Sequence, residues 1–301
     1  MKEFEKRRIA TVLVVGVGVI LLFCLSLFVV LKLILGHHAG NQGRRAQVRV
    51  LLQRVYGAQE VSFVAADGLV LAGLLIKRSN AKGTVLLCHG YKHSKELMGR
   101  YCSLFEGYNI LLFDFRGAGQ SGGFFSSIGY YESEDVKAAI AFARVAVPQP
   151  VGRPLIVFGV SMGAAAALKA VSEGAVVDGL ILDSPYASLA QIIDQSVQHF
   201  SVVPRPVIAC LCSSLQVILG PILTMNPVEY VKKITVPVLF IHASSDSITN
   251  PAHSVCLFRH LLQQRRAAAS LWFSPPAKHA YSFVSYPRQY RERVARFLQK
   301  V

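Results

Sequence analysis

The chain has 301 residues, 52% hydrophobic and 16% charged, with a formal net charge of +15. That composition excludes a disordered chain and is low in charge for a purely soluble protein. Residues 1–58 carry nine Lys/Arg against two acids, and the rest of the surplus is spread without basic blocks or interleaved aromatics, so no nucleic-acid partner is expected.

Ile9 to Leu35 is apolar apart from Lys32. It exceeds the apolar core of about 7–15 residues in a cleaved signal peptide. It is long enough to span about 30 Å of hydrocarbon, which takes roughly 20 helical residues. No small-x-small cleavage site follows it. The expected order is therefore a basic flank at 1–8, a transmembrane anchor at 9–35 with the lipid bilayer as partner, a basic linker at 36–58, and one α/β domain over 59–301. Lys2, Lys6, Arg7 and Arg8 precede the span, and Arg44, Arg45, Arg49 and Arg54 follow it. The closer amino-terminal cluster favours an extracytoplasmic domain, whereas several unpaired cysteines argue for the other side. The six cysteines lack the spacing of a disulfide framework, and Cys210-Leu-Cys212 has no matching pair at zinc spacing.

From residue 59, apolar runs alternate with helical patterns. "VSFVAAD" and "LVLAGLLIK" predict a hairpin turning at Asp67-Gly68. "TVLLCHG", "YNILLFDF", "PLIVFGV", "GLILDSP", "VPVLFIHA" and "ASLWFSP" predict six further strands. Most are continuously apolar, the pattern of strands buried on both faces of a parallel sheet. "SEDVKAAIAFARVAV", "AAAALKAV" and "HSVCLFRHLLQQ" predict helices between them, and a last helix puts Tyr290, Val294, Phe297 and Leu298 on one face. The alternation predicts a mostly parallel sheet with helices on both sides. Residues 186–235 break it, and 207–225 are uncharged over nineteen residues, long enough for a second membrane span.

At the end of the fifth strand stands Gly159-Val160-Ser161-Met162-Gly163, a G-x-S-x-G between strand and helix. Such a turn lifts a serine above the sheet on a strained backbone, and the flanking glycines keep Cβ atoms away from the adjacent strand and helix. A serine hydroxyl needs a base to become a nucleophile. Asp246 follows the seventh strand and His279 the eighth, in the chain order this turn requires. His279 would take the serine proton and Asp246 would hold the imidazole. Asp183 and Asp194 are rival acids, and Asp183 precedes the usual acid position. Of the nine histidines three follow both serine and acid; His253 and His260 fall on a predicted helix, and only His279 follows the eighth strand. His89-Gly90 shapes the loop after the third strand, from which the Tyr91 N–H would join that of Met162 as oxyanion donors. Asp114 and Arg116 are expected to hold their own loop, and Glu132 and Asp135 to cap a helix or face solvent. A bilayer crossing at 207–225 would separate Ser161 from Asp246 and His279, so the insertion is read as a lid.

"CHG", "FDFRGAGQSGG", "GVSMG" and the Asp and His positions, in that order and each at a strand end, resemble the α/β-hydrolase superfamily over about residues 60–301. The resemblance implies that fold, a lid inserted after the sixth strand, and catalysis without a metal or organic cofactor. The anchored form is similar to single-pass members that hydrolyse acyl lipids, acylated proteins or small esters. The resulting expectation is a membrane-tethered serine hydrolase acting on acyl esters or thioesters. A serine peptidase and a non-catalytic binding protein are the alternatives. A peptidase usually needs acidic groups for a substrate terminus, and the insertion offers only Asp194 and Glu229.

Overall fold

In the computed structural model the described residues are 42–148, 152–192 and 220–301, with scattered helical positions between 4 and 28. Residues 37–189 and 225–301 form the unit that carries the sheet, and residues 1–36 and 190–224 form a second unit. Most of the expected anchor at 9–35 and the centre of the expected lid, 193–219, lie outside the described residues. Among the described residues no helix is long and apolar enough to cross a membrane.

The eight expected strands are all present: β1 (Gln59–Val64), β2 (Val70–Ile76), β3 (Thr84–Cys88), β4 (Asn109–Phe113), β5 (Leu155–Val160), β6 (Gly179–Asp183), β7 (Val238–Ala243) and β8 (Ala269–Ser274). They form one sheet in the order β1-β2-β4-β3-β5-β6-β7-β8. The β1–β2 and β2–β4 pairs are antiparallel and the rest parallel. The β1–β2 turn closes with Ala65 N donating to Leu69 O and Gly68 N to Ala65 O, and Gly68 takes φ +84° there.

Every residue of β3 to β7 is buried, which explains their unbroken apolar sequences. Successive side chains alternate between two cores. Leu86, Cys88, Leu111, Phe113, Val157, Leu182 and Phe240 share one with α3 (Glu132–Ala146), α4 (Met162–Ser172) and α6 (Ala252–Gln264). Val85, Leu87, Leu112, Phe158, Ile181 and Ile241 share the other with α1 (Gln42–Tyr56), the turns from α2 (Lys95–Met98) to Leu104, and α8 (Pro287–Leu298). Each large aliphatic or aromatic side chain so buried contributes roughly 1.5–3 kcal/mol.

The helices follow from their spacing. α3 buries Val136, Ala139, Ile140 and Ala143 and opens on Glu132, Glu134 and Asp135, which favour the positive end of the helix dipole. α4 is buried from Met162 to Ala170, and its alanines let it lie close to the sheet while α3 and α5 (Pro227–Val231) flank it. α8 buries Tyr290, Val294 and Phe297, as its pattern predicts. Short α7 (Ser282–Ser285) precedes it.

Two expectations need correcting. The basic linker at 36–58 contains a fifteen-residue helix, α1. Val48, Leu52 and Tyr56 recur every fourth residue, and Leu52 is buried in the core with the other two packed beside it. The ends of the 186–235 insertion also belong to the body rather than to a separate cap. Leu189 N donates to Met225 O, Val228 N donates to Ala187 O, and Val231 and Ile234 are wholly buried.

Candidate active site

The parallel strands carry the chemistry at their C-terminal ends, where loops from several strands converge. Ser161 stands between β5 and α4 with φ +53° and ψ −116°. A side-chain-bearing residue in that region costs on the order of 1–3 kcal/mol and must be held. Its N–H donates to the Asp183 carbonyl at 2.8 Å, and its carbonyl accepts from the Ala164 and Ala165 N–H groups. A Cβ on Gly159 would lie 2.6 Å from the Ala164 backbone, and one on Gly163 would lie 2.4 Å from the Cys88 carbonyl oxygen. The two glycines let β5 turn sharply into α4 and let α4 pack directly on the end of β3.

His279, five residues beyond the end of β8 at Ser274, reaches back to this serine: its Nε2 lies 3.0 Å from Ser161 Oγ. Its Nδ1 lies 2.7 Å from Asp246 Oδ2. Since an ionised carboxylate only accepts, that geometry puts the proton on Nδ1 and leaves Nε2 to accept from the serine hydroxyl. Asp246 follows β7 with its side chain fully buried. Its Oδ1 accepts from the N–H groups of Ile248 at 2.9 Å and Thr249 at 3.0 Å. Burial opposes its ionisation, but hydrogen bonds from His242 and His279, the His279 charge and the Thr249 N–H together hold its carboxyl well below the usual range.

Two neighbours complete this arrangement and carried no distinct signal in the sequence. Thr249 Oγ1 donates to Asp246 Oδ2 at 3.0 Å and lies 3.1 Å from His279 Nδ1. His242, buried on β7, donates from Nε2 to the Thr249 carbonyl at 2.8 Å and stands 3.3 Å from Asp246 Oδ2. The only hint was the position of Thr249 three residues after the acid, the spacing at which a side-chain carboxylate meets a backbone N–H.

The loop after β3 is fixed by His89. Phe115 N–H donates to its Nε2 at 3.0 Å, so the ring proton sits on Nδ1 and donates to the Gly90 carbonyl at 2.7 Å. His93 N donates to Gly90 O and closes a turn around Tyr91 and Lys92, with Lys92 at φ +58°. The turn's own bond uses the His93 N–H and not that of Tyr91. Met162 opens α4, where backbone N–H groups have no preceding carbonyl in the helix. The Met162 Sδ lies 3.4 Å from Ser126 Oγ.

The supporting carboxylates are more buried than expected. Glu132 is inaccessible and holds the preceding loop, accepting from Ser126 Oγ, Ser127 N–H and hydroxyl, and Gly129 N–H. Asp135 grips Arg116 from two sides, with Nη2 at 2.6 Å and Nε at 3.0 Å, and burial pushes its carboxyl up to about 6 against that pairing. Neither faces solvent. Asp114 accepts from Lys95 Nζ at 2.5 Å and from Lys95 N–H at 2.7 Å, which ties its loop to α2. Asp183 is fully buried and accepts from Tyr290 Oη at 2.8 Å and Ser184 Oγ at 2.9 Å. Asp194 lies outside the described residues.

Comparison with known proteins places the fold in a family. Residues 79–229, which include the β3 loop and Ser161, match the family model described as "Serine aminopeptidase, S33". The chain is 28% identical over 254 residues to the uncharacterized protein YqkD of Bacillus subtilis, covering 81% of this chain and 80% of that one. It is 27% identical over 261 residues to the uncharacterized protein YfhR of Escherichia coli, covering 81% and 84%. Among solved structures it is similar to the Pyrococcus furiosus esterase Pf2001, with a TM-score of 0.66 and 24% identity over 81% of this chain and 91% of that one. It is also similar to the Pyrococcus horikoshii acylaminoacyl peptidase, with a TM-score of 0.61 and 17% identity over 83% of this chain and 42% of that one. At these identities the likeness to the solved structures is one of fold.

Proposed function

Starting from the serine aminopeptidase S33 family of α/β-fold hydrolases, to which this chain belongs, we propose that it is a membrane-tethered serine hydrolase that cleaves acyl esters or thioesters. The observation that carries this reading is the relay from Ser161 Oγ to His279 Nε2 at 3.0 Å and from His279 Nδ1 to Asp246 Oδ2 at 2.7 Å. In the proposed cycle His279 removes the serine proton as Oγ attacks the acyl carbon. The N–H groups of Met162 and Tyr91 hold the oxyanion, and Asp246 stabilises the imidazolium. His279 then protonates the leaving alcohol or thiol. In the second half it takes a proton from water as the hydroxide adds to the acyl carbon, then returns that proton to Ser161 Oγ as the acyl–Oγ bond breaks and the acid leaves.

The same relay can cleave amides, and the family's description favours keeping a peptidase as the second reading. Glu229, the described acid of the insertion, is exposed and paired with Lys232 Nζ at 2.7 Å. It is the one acid among the described residues of the insertion, short of the acidic pair that a substrate amino terminus would call for, which supports the ester reading. The tether is proposed at residues 9–35, with the catalytic domain on the extracytoplasmic side and the insertion as an apolar lid.

The deciding experiment is fluorophosphonate labelling of the full chain in carbonate-washed membranes, with Ser161→Ala beside it. Labelling should be retained in the washed membranes and lost in the variant. Ester turnover should fall by on the order of a million-fold, to background. Labelling that survives Ser161→Ala sinks the nucleophile, and a signal washed from the membranes sinks the tether. Faster hydrolysis of aminoacyl amides than of acyl esters reverses the two readings.

A further inference from the structure

Beside the nucleophile lies a cleft of about 480 Å³. Gly90 brings them together: a Cβ placed on it would stand 3.5 Å from Ser161 Cβ and 3.4 Å from Cδ2 of His93, which lines the cleft. The cleft is lined by Arg44 and Arg45 from α1, Lys92 and His93 from the β3 loop, and Glu96 and Arg100 from the turns that follow. Arg100 also stands 5.8 Å from the ring of Tyr281, which lies two residues past His279.

Four cationic side chains thus meet one carboxylate. Glu96 accepts from Ser94 Oγ at 2.7 Å and shares Lys95 Nζ, 3.6 Å away, with Asp114, so the four cations still outnumber the carboxylate of the cleft. Among the described residues, no Asp or Glu lies within ion-pair distance of Arg45, Lys92 or Arg100. Lys92 and Arg100 instead rest on aromatic faces, at 5.3 Å from the Tyr91 ring and 5.6 Å from that of Tyr101. Desolvation, with the charges of Arg100, His279 and Arg45, pushes the His93 imidazole down to about 4. It is therefore neutral at pH 7 and adds no further positive charge. Arg44 and Lys92 are exposed and Arg45 and Arg100 half-buried. Cations of one sign converging on a solvent-open cleft set up a field that recruits an anion, and guanidinium groups suit carboxylate and phosphate.

We propose that this cleft holds an anionic group, a carboxylate or phosphate, carried by the substrate close to its scissile ester or thioester. The proposal rests on the serine-hydrolase reading above and narrows its substrate class. The same field repels a substrate ammonium group, which disfavours aminopeptidase action.

The test uses the full chain and two matched pairs of esters. One pair is p-nitrophenyl hydrogen suberate and its methyl-capped counterpart, with the charge on the acyl side. The other is a butyryl ester of glycerol phosphate and the same ester of glycerol, with the charge on the leaving side. In at least one pair kcat/KM should favour the anion by about tenfold, and added salt should shrink the preference. In the Arg45→Gln/Lys92→Gln/Arg100→Gln variant the ratio within that pair should fall to near one. Because the readout is a ratio within one preparation, partial loss of folded protein does not move it. Equal rates within both pairs, or a preference that survives the triple variant, overturns the proposal.

A glycerol phosphate ester anchored in phosphatidylcholine vesicles by a long acyl chain separates a lipid headgroup from a soluble anion. Faster turnover of the anchored ester assigns the cleft to lipid, and faster turnover of the soluble one to a free metabolite. Should neither member of any pair be hydrolysed, the serine-hydrolase reading fails by itself. Calorimetric titration with suberate then decides the cleft: binding to the wild type but not to the triple variant supports it, and no binding overturns it.

Discussion

Asp183 closes β6 and Asp246 follows β7, on neighbouring strands of one sheet with both carboxyls buried, yet their ionisation is pushed in opposite directions. Burial raises the carboxyl of Asp183, and two neutral hydroxyls, Tyr290 and Ser184, only partly offset it. Burial acts on Asp246 too, but two backbone N–H groups, the Thr249 hydroxyl and the rings of His279 and His242 converge on it and lower it. The difference between a structural acid and one able to orient an imidazole is therefore chiefly the donor set, with Asp183 also the deeper of the two. Asp183 is linked to the nucleophile only through its backbone carbonyl, which accepts the Ser161 N–H.

The largest effect that can break this comparison comes from paired isosteric changes. Asp246→Asn should leave the fold intact, put the wrong tautomer on His279 and lower kcat by about ten thousand-fold. Asp183→Asn keeps one acceptor for the two hydroxyls of Tyr290 and Ser184, the other turning to accept from the amide NH2, and should leave kcat within about tenfold, since the Asp183 side chain touches no reacting group. Burst and steady-state kinetics on one activated ester would check both. Comparable losses from the two changes would show that the assignment of roles to the two acids is wrong.

The two acids also mark how far the sequence could be read. Continuous apolar runs made β3 to β7 legible, because a strand buried on both faces tolerates no polar alternation. The nucleophile turn was legible because Gly159 and Gly163 are required by backbone atoms that a Cβ would strike. Its place past the eighth strand singled out His279 from His253 and His260, which also follow the acid, but two rivals for the acid remained, because the donors that separate Asp183 from Asp246 come from distant positions such as Tyr290. Buried charge was the least legible feature. Glu132 and Asp135 were expected to cap a helix or face solvent and nothing marked Lys95 as buried, and only the tertiary contacts with the Ser126–Gly129 loop, Arg116 and Asp114 show why they are inside. α1 was obscured for the same reason: its four arginines outweighed the spacing of Val48, Leu52 and Tyr56.

A smaller effect sharpens the structural side of the comparison. Tyr290 is wholly buried, and its hydroxyl is one of two side-chain donors to Asp183. Tyr290→Phe keeps the packing with Tyr101, Trp272 and Phe283 but removes that donor. It should cost about 1–3 kcal/mol in urea unfolding, with turnover of the folded protein unchanged. A loss of turnover without a loss of stability would move Asp183 from structure to catalysis.

The smallest effect is also the most specific, because its sign differs between the two residues. For Asp246 the folded pKa is depressed, so its contribution to stability is complete above the unfolded value of about 3.9 and is lost as pH falls through the lower folded value. For Asp183 the folded pKa is raised, so its contribution is complete below about 3.9 and is lost as pH rises toward the folded value. Asparagine does not titrate, so subtracting each variant from the wild type isolates one carboxyl. In urea unfolding followed against pH, the wild-type advantage over Asp246→Asn should grow as pH rises out of strong acid and then stay level. The advantage over Asp183→Asn should shrink as pH rises above about 4. Two curves with the same sign would mean that burial governs both carboxyls alike, and the donors around Asp246 would no longer explain why it, and not its neighbour, faces His279 as a charge.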